Sequence, residues 1–206
     1  MGRKLRHPSG KQPLCRGAYS VHLVDEVTGR WGPALLRKHN LLPYSWGFLA
    51  CQCIGLGNPA YQVAGAYLEY QNLVNPTDTV PAPTFDRTTS LTYYNALPAN
   101  QDFLRVALAG PPTIDIAPGS EPYFIAGVSG NRVTFVAQSS GTQGALGRAF
   151  SDTAHSKVYG IALVATPVLA DRTHDVILSR GYFNPPDQQL KQVGSQVGVR
   201  WSISFL

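Results

Sequence analysis

Val197-Gly198-Val199-Arg200-Trp201-Ser202-Ile203-Ser204-Phe205 is the stretch on which the fold turns. In a strand the period of two sends Val197, Val199, Trp201, Ile203 and Phe205 to one face and Gly198, Arg200, Ser202 and Ser204 to the other. Five large apolar residues on one face need a second sheet to cover them, so this closing strand predicts an antiparallel β-sandwich. Working back along the chain, residues 158–165 and 175–179 are apolar enough for buried strands, and Pro185-Pro186 closes the region around Tyr182-Phe183. Residues 103–108, 123–128 and 132–138 read as further strands, the last two joined by a tight turn at Ser129-Gly130-Asn131.

Nearer the start, residues 66–70 form another strand. Tyr19, Val21 and Leu23 alternate with Ser20, His22 and Val24, and the turn residues 26–30 precede Trp31, which predicts a β-hairpin. The best helix candidate is residues 44–54, with Ser45 as N-cap and Gly55 as stop. Residues 76–89, carrying Pro81 and Pro83, and the glycine-rich residues 141–147 read as loops that cover an edge or reach a neighbour. The expectation is a mainly β protein: an antiparallel, jelly-roll-like sandwich with one short helix and an extended N-terminal arm. Residues 1–17 form the arm and residues 18–206 a single domain.

Charge separates these two parts. Arg3, Lys4, Arg6, Lys11 and Arg16 lie in the first sixteen residues with no acid among them, and the remaining twelve Lys/Arg balance all twelve Asp/Glu. The net charge of +5 therefore belongs to a leader punctuated by Pro8, Gly10 and Pro13, and these five bases are the candidate partner-binding residues. Charged residues make up 14% of the chain, against roughly 25% for an average globular protein, which suits a molecule packed against others. The basic leader has no apolar stretch behind it to make a secretory signal. The apolar run of residues 159–170 is shorter than the about 20 residues of a membrane span, so no membrane contact is expected. Three cysteines, Cys15, Cys51 and Cys53, are too few for a disulfide framework and fit synthesis in a reducing cytoplasm.

No constellation meets the requirements of catalysis. Cys51 and Cys53 lack the second ligand pair of a zinc site and read as small core residues. His7, His22, His39, His155 and His174 form no chelating pair. Ser151, Asp152 and His155 carry the letters of a triad without a nucleophile elbow. Gly55-Leu56-Gly57-Asn58-Pro59-Ala60 follows a helix candidate and contains a proline, so it reads as a turn and not as a dinucleotide loop. Asp25-Glu26 flank the hairpin turn as solvated acids. Tyr67, Tyr70, Tyr93, Tyr94, Tyr123, Tyr159 and Tyr182, with Arg87 and Arg105, have the composition of a stacking surface, but strand aromatics more often cover a core edge or an interface. No enzyme, cofactor or metal is expected.

Several segments together resemble small virion structural proteins of tailed bacteriophages. They are Val24-Asp25-Glu26-Val27-Thr28-Gly29 with His39-Asn40-Leu41-Leu42, the strand of residues 67–72, Ser156-Lys157-Val158-Tyr159-Gly160, residues 162–167, Ser179-Arg180 with Tyr182-Phe183, and Trp201-Ser202-Ile203-Ser204-Phe205. The resemblance touches most of the chain after residue 18 and supplies no catalytic residues. It implies a decoration or cement protein of the head, or a neck, collar, tail or fibre-attachment subunit. Such a subunit would be made in the bacterial cytoplasm and located in the virion as a homo-oligomer. Its partners would be capsid, portal, neck or tail proteins, with the arm reaching an acidic groove first and DNA second. The alternative is a receptor- or carbohydrate-binding β-sandwich module.

Overall fold

A computed structural model describes residues 15–40, 51, 62–75, 77, 78, 80, 94–116, 130–139, 156–166, 172–190 and 195–205. They form the expected antiparallel sandwich. Ten strands are arranged as β1 (Cys15–Asp25), β2 (Trp31–Asn40), β3 (Gln62–Asn72), β4 (Gln101–Ala107), β5 (Thr113–Asp115), β6 (Arg132–Gln138), β7 (Ser156–Thr166), β8 (Val176–Tyr182), β9 (Gln189–Leu190) and β10 (Ser195–Phe205). The first sheet has the order β2-β1-β10-β6-β5 and the second β4-β3-β7-β8, with β9 added to β7. Short 3-10 turns lie at Arg172–His174 and Pro185–Asp187. The expected helix over residues 44–54 falls outside the described residues except for Cys51, which is exposed and so is not the core residue the sequence implied.

The closing strand sits at the centre of the first sheet, paired along its length with β1 and on its other side with β6. Val197, Val199, Trp201 and Ile203 are buried, and they meet Leu68, Tyr70, Leu104, Ile161 and Leu163 of the second sheet in one core. Phe205 departs from the expectation: it is 45% exposed at the last position of β10. Tyr19 links the layers, its ring 6.0 Å from Phe183 and 5.3 Å from Trp201. Gly181 makes room for it, since a Cβ there would lie 2.3 Å from the Tyr19 ring. At the β2 edge Lys38 forms an ion pair with Asp187, tying the first sheet to the turn after β8.

The hairpin forms where expected. Its turn is held by Asp25, whose Oδ1 accepts hydrogen bonds from the amides of Val27 (3.1 Å) and Thr28 (2.6 Å) and from the Thr28 hydroxyl (2.8 Å), with Gly29 at φ 66°. Asp25 is thus a capping residue, although it is exposed as the sequence suggested. Residues 15–17, expected in the arm, belong to β1: Cys15 lies opposite Phe205 and Arg16 opposite Ser204, while residues 1–14 lie outside the described residues. Strand β5 was not legible: three residues bounded by Pro111, Pro112 and Pro118 show no alternation, yet Ile114 pairs with Val133 of β6. The expected strand of residues 123–128 lies outside the described residues, as do residues 141–147 and most of 76–89. Within the latter, Val80 is buried and anchored by Gln188, whose Oε1 accepts from the Val80 amide at 2.9 Å and whose Nε2 donates to its carbonyl at 2.6 Å.

Two outcomes are expected. Gly181→Ala pushes against the Tyr19 ring and lowers stability by about 1–3 kcal/mol, read as a lower urea midpoint at unchanged slope. The Thr28 and Val27 bonds hold the Asp25 carboxyl below its ordinary value, so the turn's contribution is complete above pH 3.8 and is lost as pH falls through the lower folded value. Carboxyl-carbon NMR titration should place the Asp25 midpoint below 3.8, and a midpoint at or above it would contradict the cap.

Candidate binding face

The two sheets treat their outer faces differently. Strand β7, inside the second sheet, is buried over its whole length, so both faces of that sheet are covered there. On its outer face stand two acid–arginine–tyrosine groups of like geometry. The Glu69 carboxylate accepts from Arg180 Nε at 2.7 Å and Nη2 at 2.5 Å, and from the Tyr94 hydroxyl at 2.7 Å. The Asp175 carboxylate accepts from Arg105 Nε at 2.7 Å and Nη2 at 2.8 Å, and from the Tyr67 hydroxyl at 2.5 Å. In each, the phenol shares the oxygen taken by Nε, and the fork matches the planar guanidinium to the carboxylate. Tyr67, Tyr94 and Phe103 pack ring to ring between them, with Tyr67–Tyr94 centroids 4.9 Å apart at 86°.

Small residues on β7 allow the first group to form. Glu69 of β3 and Tyr182 of β8 both pair with Gly160, and Arg180 pairs with Ala162. A Cβ on Gly160 would lie 2.9 Å from Glu69 Oε2 and 3.0 Å from the Tyr182 ring. The side chains of Glu69 and Arg180 are 0% and 1% exposed. Burial opposes the Arg180 charge, but Glu69 in contact with it, helped by Tyr94 and Tyr182, holds the guanidinium protonated more firmly than usual. Burial and then the Glu69 charge push the Tyr94 phenol well above its ordinary range, so it stays a donor. With both charges buried and paired, the group fastens β3 to β8 across β7.

The tyrosines therefore do not form a stacking surface among the described residues. Tyr67, Tyr70, Tyr94 and Tyr159 are fully buried and Tyr182 is partly buried, while Tyr93, Tyr123 and Arg87 lie outside the described residues. Arg105, also read as part of such a surface, is held by Asp175. An acid and an arginine each set in an apolar aromatic strand, as in Tyr67-Leu68-Glu69-Tyr70 and Ile177-Leu178-Ser179-Arg180, was the available signal, because a buried charge has to be paired.

The first sheet leaves its outer face open as a concavity of about 630 Å³. Its floor is small and polar, with Ala18 and Ser20 of β1, Ser202 of β10 and Thr134 of β6, the last two hydrogen-bonded at 2.8 Å. Arg37 and His39 of β2 bound one side. On the other stands Arg132, forked onto Asp115 at 2.6 and 2.5 Å, which lowers the carboxyl's pKa. Arg200 lies 5.2 Å from the Trp31 ring, which is itself edge-on to His22 at 5.3 Å. His22 is buried between Ser20 Oγ (2.9 Å) and the Gly32 carbonyl (3.0 Å), and since a carbonyl only accepts, Nδ1 carries a proton.

Of the sequence-derived arm residues, Arg3, Lys4, Arg6 and Lys11 lie outside the described residues, and Arg16 lies in β1. His39 and His174 are exposed and far from being a pair, and His7, His155, Ser151 and Asp152 lie outside the described residues, as does the turn of residues 55–60. Among the described residues no three His, Cys, Asp or Glu side chains are placed to hold a metal ion. No family model, curated protein or solved structure matches the chain.

Arg180→Ala should cost about 3–5 kcal/mol in denaturant unfolding because it strands a buried Glu69. The double change Glu69→Leu with Arg180→Met should cost less than either single change, and simple additivity of the two would contradict a coupled pair.

Proposed function

We propose that the chain is a non-enzymatic structural subunit of a tailed-phage virion, in a head decoration, neck, collar, tail or fibre-attachment position, assembled in symmetric copies. The observation that carries this reading is an apolar ledge at one corner of the sandwich. Ile114 is 59%, Ile116 38% and Phe205 45% exposed. Asn131 draws them together: its amide donates to the Asp115 carbonyl at 3.0 Å, and its carbonyl accepts from the Phe205 amide at 2.8 Å. These residues lie at the β5 end of the first sheet and at the last position of β10, and exposed apolar residues of this kind suit contact with another protein. Cys15 pairs with Phe205, so the basic residues 1–14 join the body at the same corner. Arm and ledge are thereby offered to one partner surface.

Deletion of residues 1–14, which spares the pairing of Cys15 and Arg16, should leave a folded β-domain that no longer enters particles. Circular dichroism and incorporation into purified virions measure the two halves, and normal incorporation would sink the anchoring role. Specific capture by a glycan array would instead favour the carbohydrate-binding module.

A further inference from the structure

The open face of the first sheet is a second basic element, separate from the arm. Arg37 and Arg200 are exposed and have no carboxylate partner among the described residues, unlike Lys38, Arg105, Arg132 and Arg180. Both are paired to Ser20, one from each side, so their backbones stand about 10 Å apart across three strands. Between them the floor is made of small side chains, and His39 and Arg132 stand at the margins. We propose that this face is a docking site for an acidic surface of a different protein, whose carboxylates are taken by Arg37 and Arg200 above the Ser20–Ser202 floor.

Charge decides between the occupants. Another copy of this chain is disfavoured at the groove, because its first sixteen residues are basic and would be repelled by two guanidinium groups that no carboxylate neutralises among the described residues, Arg200 having only the Trp31 ring against it. Nucleic acid is disfavoured because its affinity grows with the number of phosphates neutralised, and a body with twelve bases against twelve acids offers few. The described residues also place no exposed ring over the groove for a base to stack on, since Trp31 lies against His22 and over Gly198, where a Cβ would be 2.5 Å from the indole. Two forks set on a stiff sheet suit two carboxylates, the pairing that this chain makes twice in its own interior. The proposal rests on the assembly reading only for where the acidic partner sits.

Fluorescein-labelled poly-L-glutamate is titrated with the full chain and followed by anisotropy at low and high salt. The variant Arg37→Gln with Arg200→Gln is compared with Arg30→Gln, an exposed charge on the hairpin turn. The double variant should bind roughly tenfold more weakly at low salt, about 0.7 kcal/mol for each exposed pair lost, while Arg30→Gln binds like the parent. In the parent, poly-L-glutamate should shift the NMR signals of His39 and Arg200, a readout that needs no variant. Equal binding by the double variant, or unmoved His39 and Arg200 signals, would overturn the proposal. So would tighter binding to an oligothymidylate of matched charge, which would make the face a nucleic-acid site. Because purified chain is used, these failures leave particle incorporation, and with it the assembly reading, to stand or fall separately.

Discussion

Two of the three carboxylates buried among the described residues, Glu69 and Asp175, constrain the second sheet of this fold. Glu69 and Asp175 sit among aromatic rings where an unpaired charge would cost several kcal/mol, so each must have an arginine fork and a phenol within reach. That requirement fixes which strands lie side by side. Glu69 on β3 meets Arg180 on β8 across β7, which is possible because β7 has Gly160 and Ala162 at the crossing. Asp175, just ahead of β8, reaches Arg105 on β4. Each pair thus spans the sheet, and a register slip on any of these strands would strand a charge. Whatever the net energy of the pairs, they penalise alternative registers, and uniqueness is their clearest consequence.

The central strand of one sheet, β7, is buried over its whole length, while the other sheet keeps an open outer face. Its inner face completes the core through Trp201, Val199 and Ile203. Its outer face carries a concavity lined by Ser20, Thr134, Ser202, Arg37, Arg200 and the Arg132–Asp115 pair. Among the described residues, Arg37 and Arg200 and the exposed Ile114 and Phe205 are on this sheet, and residues 1–14 join it at Cys15. Such a division fits a body that is fastened on one side and offered to partners on the other.

The strands with clear alternation were legible: Tyr19, Val21 and Trp201 each face the core as their period requires. Strand β5 was not, because pairing with β6 and not any local pattern makes Thr113–Asp115 a strand. Phe205 belongs to the apolar face by period, yet it is 45% exposed, and no property of residues 197–205 encodes what covers the end of the strand. The tyrosines were equally ambiguous. The chemistry of Tyr94 suits a stacking platform or a buried donor, and the proximity of Glu69 and Arg180 makes it the second.

By itself the sequence determined the class of fold, the hairpin, the closing strand and the confinement of net charge to the first sixteen residues. These follow from period-two hydrophobicity, turn residues and charge counting, which depend on near neighbours in the chain. Only the tertiary structure decided that Glu69 pairs with Arg180, that Arg37 and Arg200 converge on Ser20, and that Ile114 and Phe205 share a corner. Those partners are 111, 163 and 91 residues apart in the chain. Pairings over such distances are selected by how two sheets stack and register, and by the cost of leaving any buried charge alone.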